Sequence, residues 1–252
     1  MISLKNINVF SDNTHILKDI TFEIPDASVT AIIGASGSGK TTLLRAIIGL
    51  IQPTNGELSV NGQNLMHLAE KERQEVRKKM AIVFQHGALF DSLTAWENVA
   101  FPICERRSIT VSDARKEAER LLDLFDLQGA ADLPISRCSG GMQMRIAIAR
   151  AFAYNPEIIL YDEPTSGLDP IARDLICDLI QRQQFLHHMT SILVTHQLST
   201  AFSVSNFFVV LHNGEVIFRG DADELMTSAN PQIQRFIRPA SRSYRQANLH
   251  QY

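Results

Sequence analysis

Cysteine is scarce in this chain, and no spacing joins the three that occur, Cys104, Cys138 and Cys177. That pattern excludes a disulfide framework and a thiolate metal site, and it fits a reducing compartment. Long apolar runs are also missing. None reaches the roughly 20 residues that a bilayer-spanning helix needs, so any membrane role requires a partner that spans. The opening Met1-Ile2-Ser3-Leu4-Lys5-Asn6 has no apolar core, so no export signal is expected. An excess of charge of one sign is lacking too. Lys and Arg number 24 against 27 Asp and Glu, a net −3, so no basic field argues for nucleic acid as a partner. Internal repeats and low-complexity tracts are absent. What remains is an ordinary globular composition, 45% hydrophobic and 20% charged. Its 252 residues suffice for one large domain or a domain with a subdomain.

Residues 1–33 read as short strands with a turn at Asp12-Asn13, and Val29 to Ile33 is an apolar strand running into Gly34. Thr41 to Leu50 has a helical pattern, and Glu57 to Val60 before Asn61-Gly62 reads as a strand and tight turn. Three further apolar runs end in polar residues: Met80 to Phe84 before Gln85, Ile158 to Tyr161 before Asp162, and Ile192 to Val194 before Thr195-His196. Continuous apolar strands suit a parallel sheet covered on both faces, hence an α/β core, and ligands bind at the carboxyl ends of such strands. Between Ala95 and Pro134 the character changes. Thr110-Val111-Ser112-Asp113 is a capping-box pattern, and Ala114 to Leu127 is helically spaced, which predicts an inserted helical subdomain. Phe207 to Leu211, Asn213-Gly214 and Val216 to Phe218 predict a hairpin. The polar tail from Pro239 to Tyr252 is expected to be loosely ordered unless something holds it.

Gly34-Ala35-Ser36-Gly37-Ser38-Gly39-Lys40-Thr41, followed by Thr42, has the full P-loop spacing between a strand and a helix. Its glycines let consecutive N–H groups face phosphate oxygens, and the helix adds its positive N-terminal dipole. Lys40 is expected on the β- and γ-phosphates and Thr41 on Mg²⁺. The glycine spacing is wrong for a Rossmann site. Asp162 is placed as the acid that holds Mg²⁺, and Glu163 as the base for an attacking water. The alternative for Glu163, a solvated or capping acid, is opposed by Pro164, which fixes the turn just there. Ser139-Gly140-Gly141, a small hydroxyl and two glycines opening a helix, makes a second cradle for an anion.

With those motifs in order, the chain resembles the ATP-binding cassette of ABC transporters across about residues 1–225. Gln85 is similar to the family's Q-loop, Ser139-Gly140-Gly141 to its signature, Ser166-Gly167-Leu168-Asp169 to its D-loop, and His196 to its switch histidine. Singly, Gln85 would read as a strand-end polar residue, Asp169 as a helix cap and His196 as a core histidine. The resemblance implies a P-loop NTPase fold with a RecA-like core, an antiparallel β-subdomain and the α-helical subdomain inserted at about 90–140. The cassette would cover 1–238 and the tail 239–252. It also implies an ATPase with ATP and Mg²⁺ as cofactors. Two copies would pack head to tail, each nucleotide lying between the P-loop of one and Ser139, Gly140, Gly141 and Asp169 of the other. Lys40, Glu163 and His196 would be catalytic, and Thr41, Gln85 and Asp162 would meet the metal. The family's adenine platform has Phe10 as nearest candidate, displaced by about one residue, with a core or surface role as the alternative.

Two residues depart from the usual Leu-Ser-Gly-Gly-Gln signature: Cys138 stands for Leu and Met142 for Gln. The phosphate-facing hydroxyl and N–H groups survive both, and Cys138 reads as a small apolar filler. Ser-Gly-Gly-Met, together with Phe84-Gln85-His86-Gly87-Ala88-Leu89-Phe90-Asp91-Ser92-Leu93, Asn98-Val99-Ala100-Phe101-Pro102 and Ser166 to Ile171, is similar to the cassettes of Mla/MCE-type lipid transporters. That likeness implies phospholipid or lipid transport between membranes, an MlaE-like integral-membrane permease, an MCE-domain protein, a STAS-type protein, and a place on the cytoplasmic face of the inner membrane. An amino-acid or other small-solute importer subunit is the second reading. A non-transport ABC ATPase is the third, disfavoured by the single cassette and the charge. Phe90, Leu93, Trp96 and Phe101 are expected either in the groove that takes the permease's coupling helix or in the subdomain core. Lys71 to Lys79 and Arg106-Arg107 read as solvated charged faces.

Overall fold

Apolar residues at Ile2, Leu4, Ile7 and Val9 keep one face of the first strand buried, yet the step from Leu4 to Ile7 breaks the period of two. The second strand carries the matching break between Leu17 and Ile20. The computed structural model, which describes residues 1–106 and 108–238, resolves both breaks as irregularities in one long antiparallel pair. β1 (Ile2–Ser11) and β2 (Thr14–Ile24) are 10 and 11 residues long rather than short. Asn6 and Asp19 take φ of +50° beside the shifts, so Ile7 still faces Ile20 and Leu4 still faces Phe22. β4 (Asn55–Val60) and β5 (Gln63–Asn64) complete this sheet in the order β2-β1-β4-β5.

The apolar runs form the second sheet. β3 (Val29–Ile33), β6 (Met80–Val83), β7 (Ile158–Asp162), β8 (Thr190–Thr195), β9 (Phe207–His212) and β10 (Glu215–Gly220) pair in the order β10-β9-β3-β8-β7-β6. All pairs are parallel except the β9–β10 hairpin. β3, β7 and β8 are buried along their whole length, as a sheet covered on both faces requires. One cover is α1 (Lys40–Ile47), whose Leu43, Leu44 and Ile47 share a core with Ile32, Val194 and Val209 and with Leu4, Phe22 and Leu58 of the first sheet. α1 ends three residues short of the expected Leu50, at Gly49 with φ +77°. α2 (Glu70–Arg77) is the expected mixed-charge helix, its Glu70 paired with Arg73 and Arg77.

The opposite cover is helical. α3 (Ala95–Arg106), α4 (Val111–Leu124), α5 (Gly140–Phe152) and α6 (Pro170–His187) share one core with Tyr161 and Leu193 of the sheet. Thr110 caps α4: its Oγ1 accepts the Asp113 N–H at 3.1 Å and donates to the Asp113 carboxylate at 2.8 Å. α4 stops at Leu124 rather than Leu127, because Phe125 turns out of the helix into the core. α7 (Leu198–Val204), α8 (Ala222–Thr227) and a helix over 231–238 close the far side through Ala201, Leu225 and Ile233. Arg107 and the tail 239–252 lie outside the described residues. No described helix is long and apolar enough to cross a membrane.

Phe125 is fully buried and meets Phe152 edge-on, with 5.0 Å between ring centroids, where α4 lies against α5. Phe125→Ala should lower the unfolding free energy by about 3–5 kcal/mol, read from the urea midpoint. A loss under about 1 kcal/mol would mean that the cavity collapses and the helices do not lean on this ring.

Candidate functional site

Parallel pairing sets the ends of four strands side by side. Ile33 pairs with Thr195, Asp162 with Val194, and Val83 with Tyr161. The residues that follow, Gly34, His196, Glu163 and Gln85, therefore leave the sheet at one edge. They frame an open cleft of about 460 Å³ whose walls include Ser36, Lys40, Thr41, Thr42, Gln85, Glu163 and His196. The sequence placed these residues in one site, and the fold brings them together. Cavities of about 240 Å³ beside Val76 and about 250 Å³ under Arg77 include none of the residues that follow these strand ends.

The loop from Gly34 to Gly39 is shaped by close approach. A Cβ at Gly34 would lie 2.2 Å from the Leu211 carbonyl, so no side chain fits there. Gly39, at φ +102°, turns the chain into α1. Lys40 folds back over the loop, its Nζ donating to the carbonyls of Gly34 and Ala35 at 3.0 Å each. Burial pulls this ammonium below its ordinary value, against the attraction of the Glu163 and Asp162 carboxylates. Ser38 Oγ is buried without a hydrogen-bond partner. A helix N-terminus, a lysine with exchangeable carbonyl contacts and an unpartnered hydroxyl suit a polyphosphate. Thr41 Oγ1 donates to Asp162 Oδ1 at 3.3 Å. Burial pushes the Asp162 carboxyl up, while this hydrogen bond pulls it back. Among the described residues, no three His, Cys, Asp or Glu side chains converge as a metal cage. The set Thr41, Asp162 and Gln85 supplies only oxygens and an amide, which fits a Mg²⁺ completed by phosphate oxygens.

Glu163 sits at φ +50°, a strained conformation for a residue with a side chain, just before Pro164. Its own N–H donates to the Val194 carbonyl at 2.9 Å. Thr195 Oγ1 donates to Glu163 Oε2 at 3.1 Å and the His196 backbone N–H to Oε1 at 3.0 Å. His196 Nδ1 lies 2.7 Å from Oε1, and a carboxylate oxygen only accepts, so the hydrogen-bond network assigns the proton to Nδ1. The carboxylate is thus aimed and nearly buried. The His196 ring is 54% exposed, so it is not a core histidine.

A second group gathers elsewhere. Ser139, the N-cap of α5, accepts the Met142 N–H at 3.3 Å, and it and Gly140 are exposed. Asp169 caps α6 by accepting the Ala172 N–H at 2.9 Å. A Cβ on Gly141 would meet Ala172 at 3.1 Å, so the two helix starts nearly touch. Ser139, Gly140, Gly141 and Asp169 are not among the walls of the P-loop cleft. Within one chain the expected site residues therefore form two clusters. Gln85 Nε2 reaches toward the second, donating to Ser166 Oγ at 3.2 Å. Met142 packs partly buried against the helical core. Burial pushes the Cys138 thiol up and that of Cys177 to about 11, so neither is a ready nucleophile.

Three supporting side chains escaped the sequence. Gln143 Nε2 donates to the carbonyls of Ile135 and Cys138 at 3.1 Å each and holds the turn before Ser139. Asn98, fully buried, accepts the Phe90 N–H at 2.8 Å and donates to the carbonyls of Phe90 and Thr94. Arg150 donates to the carbonyls of Ala88 and Gly87 at 2.8 and 2.6 Å, tying α5 to the segment after Gln85. Arg150 meets backbone far away in the chain, whereas Gln143 and Asn98 meet turn backbone a few residues upstream, where no motif spacing marks them. Of the four aromatic and aliphatic candidates here, Trp96 packs on the core beneath Arg115, whereas Phe90 and Phe101 are exposed and pair at 4.9 Å.

Comparison with known proteins agrees with this geometry. The ABC transporter family profile matches residues 17–166. The intermembrane phospholipid transport system ATP-binding protein MlaF of Haemophilus influenzae is 36% identical over 241 residues, 96% of this chain and 91% of that protein. The sulfate/thiosulfate import ATP-binding protein CysA of a Synechocystis strain is 38% identical over 94% of this chain and 65% of its own length. A solved dimeric ATP-binding cassette in a post-hydrolysis state, bound to ADP and Pi, superposes with a TM-score of 0.80 at 33% identity, covering 88% of this chain and 98% of that one.

Asp162 gives a test of the site's electrostatics without ligand. An acid whose value is raised by folding stabilises below its unfolded value, and that stability is lost as pH rises through the folded value. Asp162→Asn should therefore stabilise the nucleotide-free protein in EDTA at pH 7, by about 1 kcal/mol. The gain should shrink as pH falls through the raised folded value and vanish below the unfolded value of 3.8, where the carboxyl is protonated in both states. Thermal melts across pH check it; a variant less stable than wild type at pH 7 would contradict the burial argument.

Proposed function

The chain belongs to the ABC transporter family of ATP-binding cassettes, ATPases whose hydrolysis is coupled to transport, and we propose that it drives lipid transport between membranes. The observation that carries the catalytic part of this reading is the single edge holding Lys40, Asp162, Glu163, Gln85 and His196. Residues 1–238 form the cassette, with the helical subdomain inserted at about 90–140.

Gly34 to Gly39 offer their N–H groups to the phosphates, and Lys40 leaves the Gly34 and Ala35 carbonyls for the β- and γ-phosphate oxygens. Thr41, Asp162 and Gln85 would hold Mg²⁺, which supplies charge neutralisation at those oxygens. Phe10, exposed and paired with His15 next to the cleft residue Ile16, takes the adenine. Glu163 accepts the proton of a water that attacks the γ-phosphorus while the bond to the β-phosphate oxygen breaks, giving ADP and Pi. His196 steadies the γ-phosphate from its exposed ring. Because Ser139, Gly140, Gly141 and Asp169 lie away from their own P-loop, they serve the nucleotide of a second copy packed head to tail. The dimeric state of the solved cassette supports that arrangement. Loss of the γ-phosphate removes the ligand shared by both chains, and the dimer opens.

The exposed Phe90–Phe101 pair supports a surface for an integral-membrane permease of the MlaE type, with the chain working on the cytoplasmic face of the inner membrane. An MCE-domain protein and a STAS-type protein complete the assembly. Lipid as cargo is supported by the MlaF relative and by Met142 with the segments 84–93 and 98–102. The importer relative is as similar in identity.

Glu163→Gln should cut turnover about 100-fold or more while trapping an ATP-dependent dimer on gel filtration; turnover near wild type would remove Glu163 from the role. To test cargo and partner together, the tagged chain is purified from its own membranes and the bound lipid is identified by mass spectrometry. A permease complex carrying phospholipid, lost in Phe90→Ala/Phe101→Ala, is the expected result. Recovery with a soluble sulfate- or amino-acid-binding protein would overturn the lipid reading.

A further inference from the structure

Phe10 and His15 face each other across β1 and β2. Their rings are 4.1 Å apart and within 10° of parallel, and Phe10 is 47% exposed. The pair stands beside the phosphate cleft, because Ile16, the next residue, lines it. The Ile16 carbonyl would lie 3.3 Å from a Cβ on Gly39, so the start of β2 overhangs the loop directly.

His15 is anchored from below. Its Nε2 lies 2.7 Å from Asn8 Oδ1. The Asp19 backbone N–H donates to the same oxygen at 3.0 Å, which fixes the orientation of the amide. Asn8 Nδ2 in turn donates to Asp19 Oδ1 and Asn55 Oδ1 at 2.8 Å each. An amide oxygen only accepts, so Nε2 of His15 carries the proton. Asn8 is itself buried, and the bulge at Asp19 that presents the N–H is built into the pairing of β1 with β2.

We propose that His15 is a positioning residue for the nucleotide base, the lower layer of a two-ring platform whose upper layer is Phe10. This rests on the reading of the cleft as an ATP site. An exposed phenylalanine at the end of a strand has several open rotamers, and a base that stacks on it must first select one. A parallel ring beneath, itself clamped by a buried amide, makes that selection before the ligand arrives. The ordering cost of binding falls, so the device acts on affinity for the base and leaves the phosphate contacts alone.

The test is calorimetric titration of the whole chain with ATP and, separately, with inorganic tripolyphosphate, both with Mg²⁺. His15→Ala should weaken ATP about three- to tenfold and leave tripolyphosphate unchanged. His15→Phe should restore ATP binding, and His15→Gln, which keeps a donor for Asn8 but has no ring, should stay weak. Unaltered ATP affinity in His15→Ala overturns the proposal. So does a parallel loss for tripolyphosphate, or a His15→Phe variant as weak as His15→Ala. Wild-type protein that binds tripolyphosphate but shows no preference for ATP would instead count against the ATP reading itself.

Discussion

Everything at the cleft depends on the placement of β8 between β3 and β7. Backbone hydrogen bonding in a parallel pair leaves no freedom of register once each strand is buried on both faces, because a slip of one residue would turn a whole row of side chains over. The pairs Ile33–Thr195 and Asp162–Val194 therefore fix where the P-loop, the acids and the histidine begin. Thr195 then adds what the ladder cannot. Its hydroxyl and the following N–H reach sideways to Glu163, whose backbone has already left ordinary strand geometry.

The clefts and cores also show how ill-suited this site is to stability alone. Lys40 and Asp162 are charged groups that burial works against, Ser38 carries a buried hydroxyl without a partner, and Glu163 is strained. Such groups persist because the two extensive apolar cores on either face of the sheet outweigh them. A polyphosphate would give Lys40 an anionic partner and Ser38 an acceptor, and a divalent cation would compensate the Asp162 carboxylate.

Much of this was legible in the sequence, and for identifiable reasons. A P-loop joins a strand, glycines and a helix in a few consecutive residues, so its spacing encodes its geometry. The apolar runs before Gln85, Asp162 and Thr195 announced strands whose ends would be functional. The lengths of β1 and β2 were not legible, because the breaks at Leu4–Ile7 and Leu17–Ile20 look like strand ends until pairing shows that they compensate each other. Asn98, Gln143, Arg150 and Asn8 were not legible either. Arg150 and Asn8 bond partners far off in the chain that only the folded topology brings within reach, whereas Asn98 and Gln143 hold nearby turns whose shape no motif announces. Trp96, Phe90 and Phe101 read as either groove or core; the Trp96 ring lies partly buried under Arg115, on the core side, and Phe90 and Phe101 hold the exposed position.

Arg150 carries one more implication, a mechanical one. It stands eleven positions after Ser139 on the same helix, roughly 16 Å at 1.5 Å per residue. Its guanidinium grips two successive carbonyls at 2.8 and 2.6 Å. A single bond would act as a pivot, but two bonds from one planar fork resist twisting as well as pulling. The helix is thus less a hinge than an arm: the fork, with Gly87 also close to Ala147, ties a tilt of the Gly87–Ala88 segment to the helix that opens at the glycine pair. Stiffness at that joint, shared between the fork and the close approach of Gly87 to Ala147, sets how much of any movement is transmitted and how much is dissipated as local flexing.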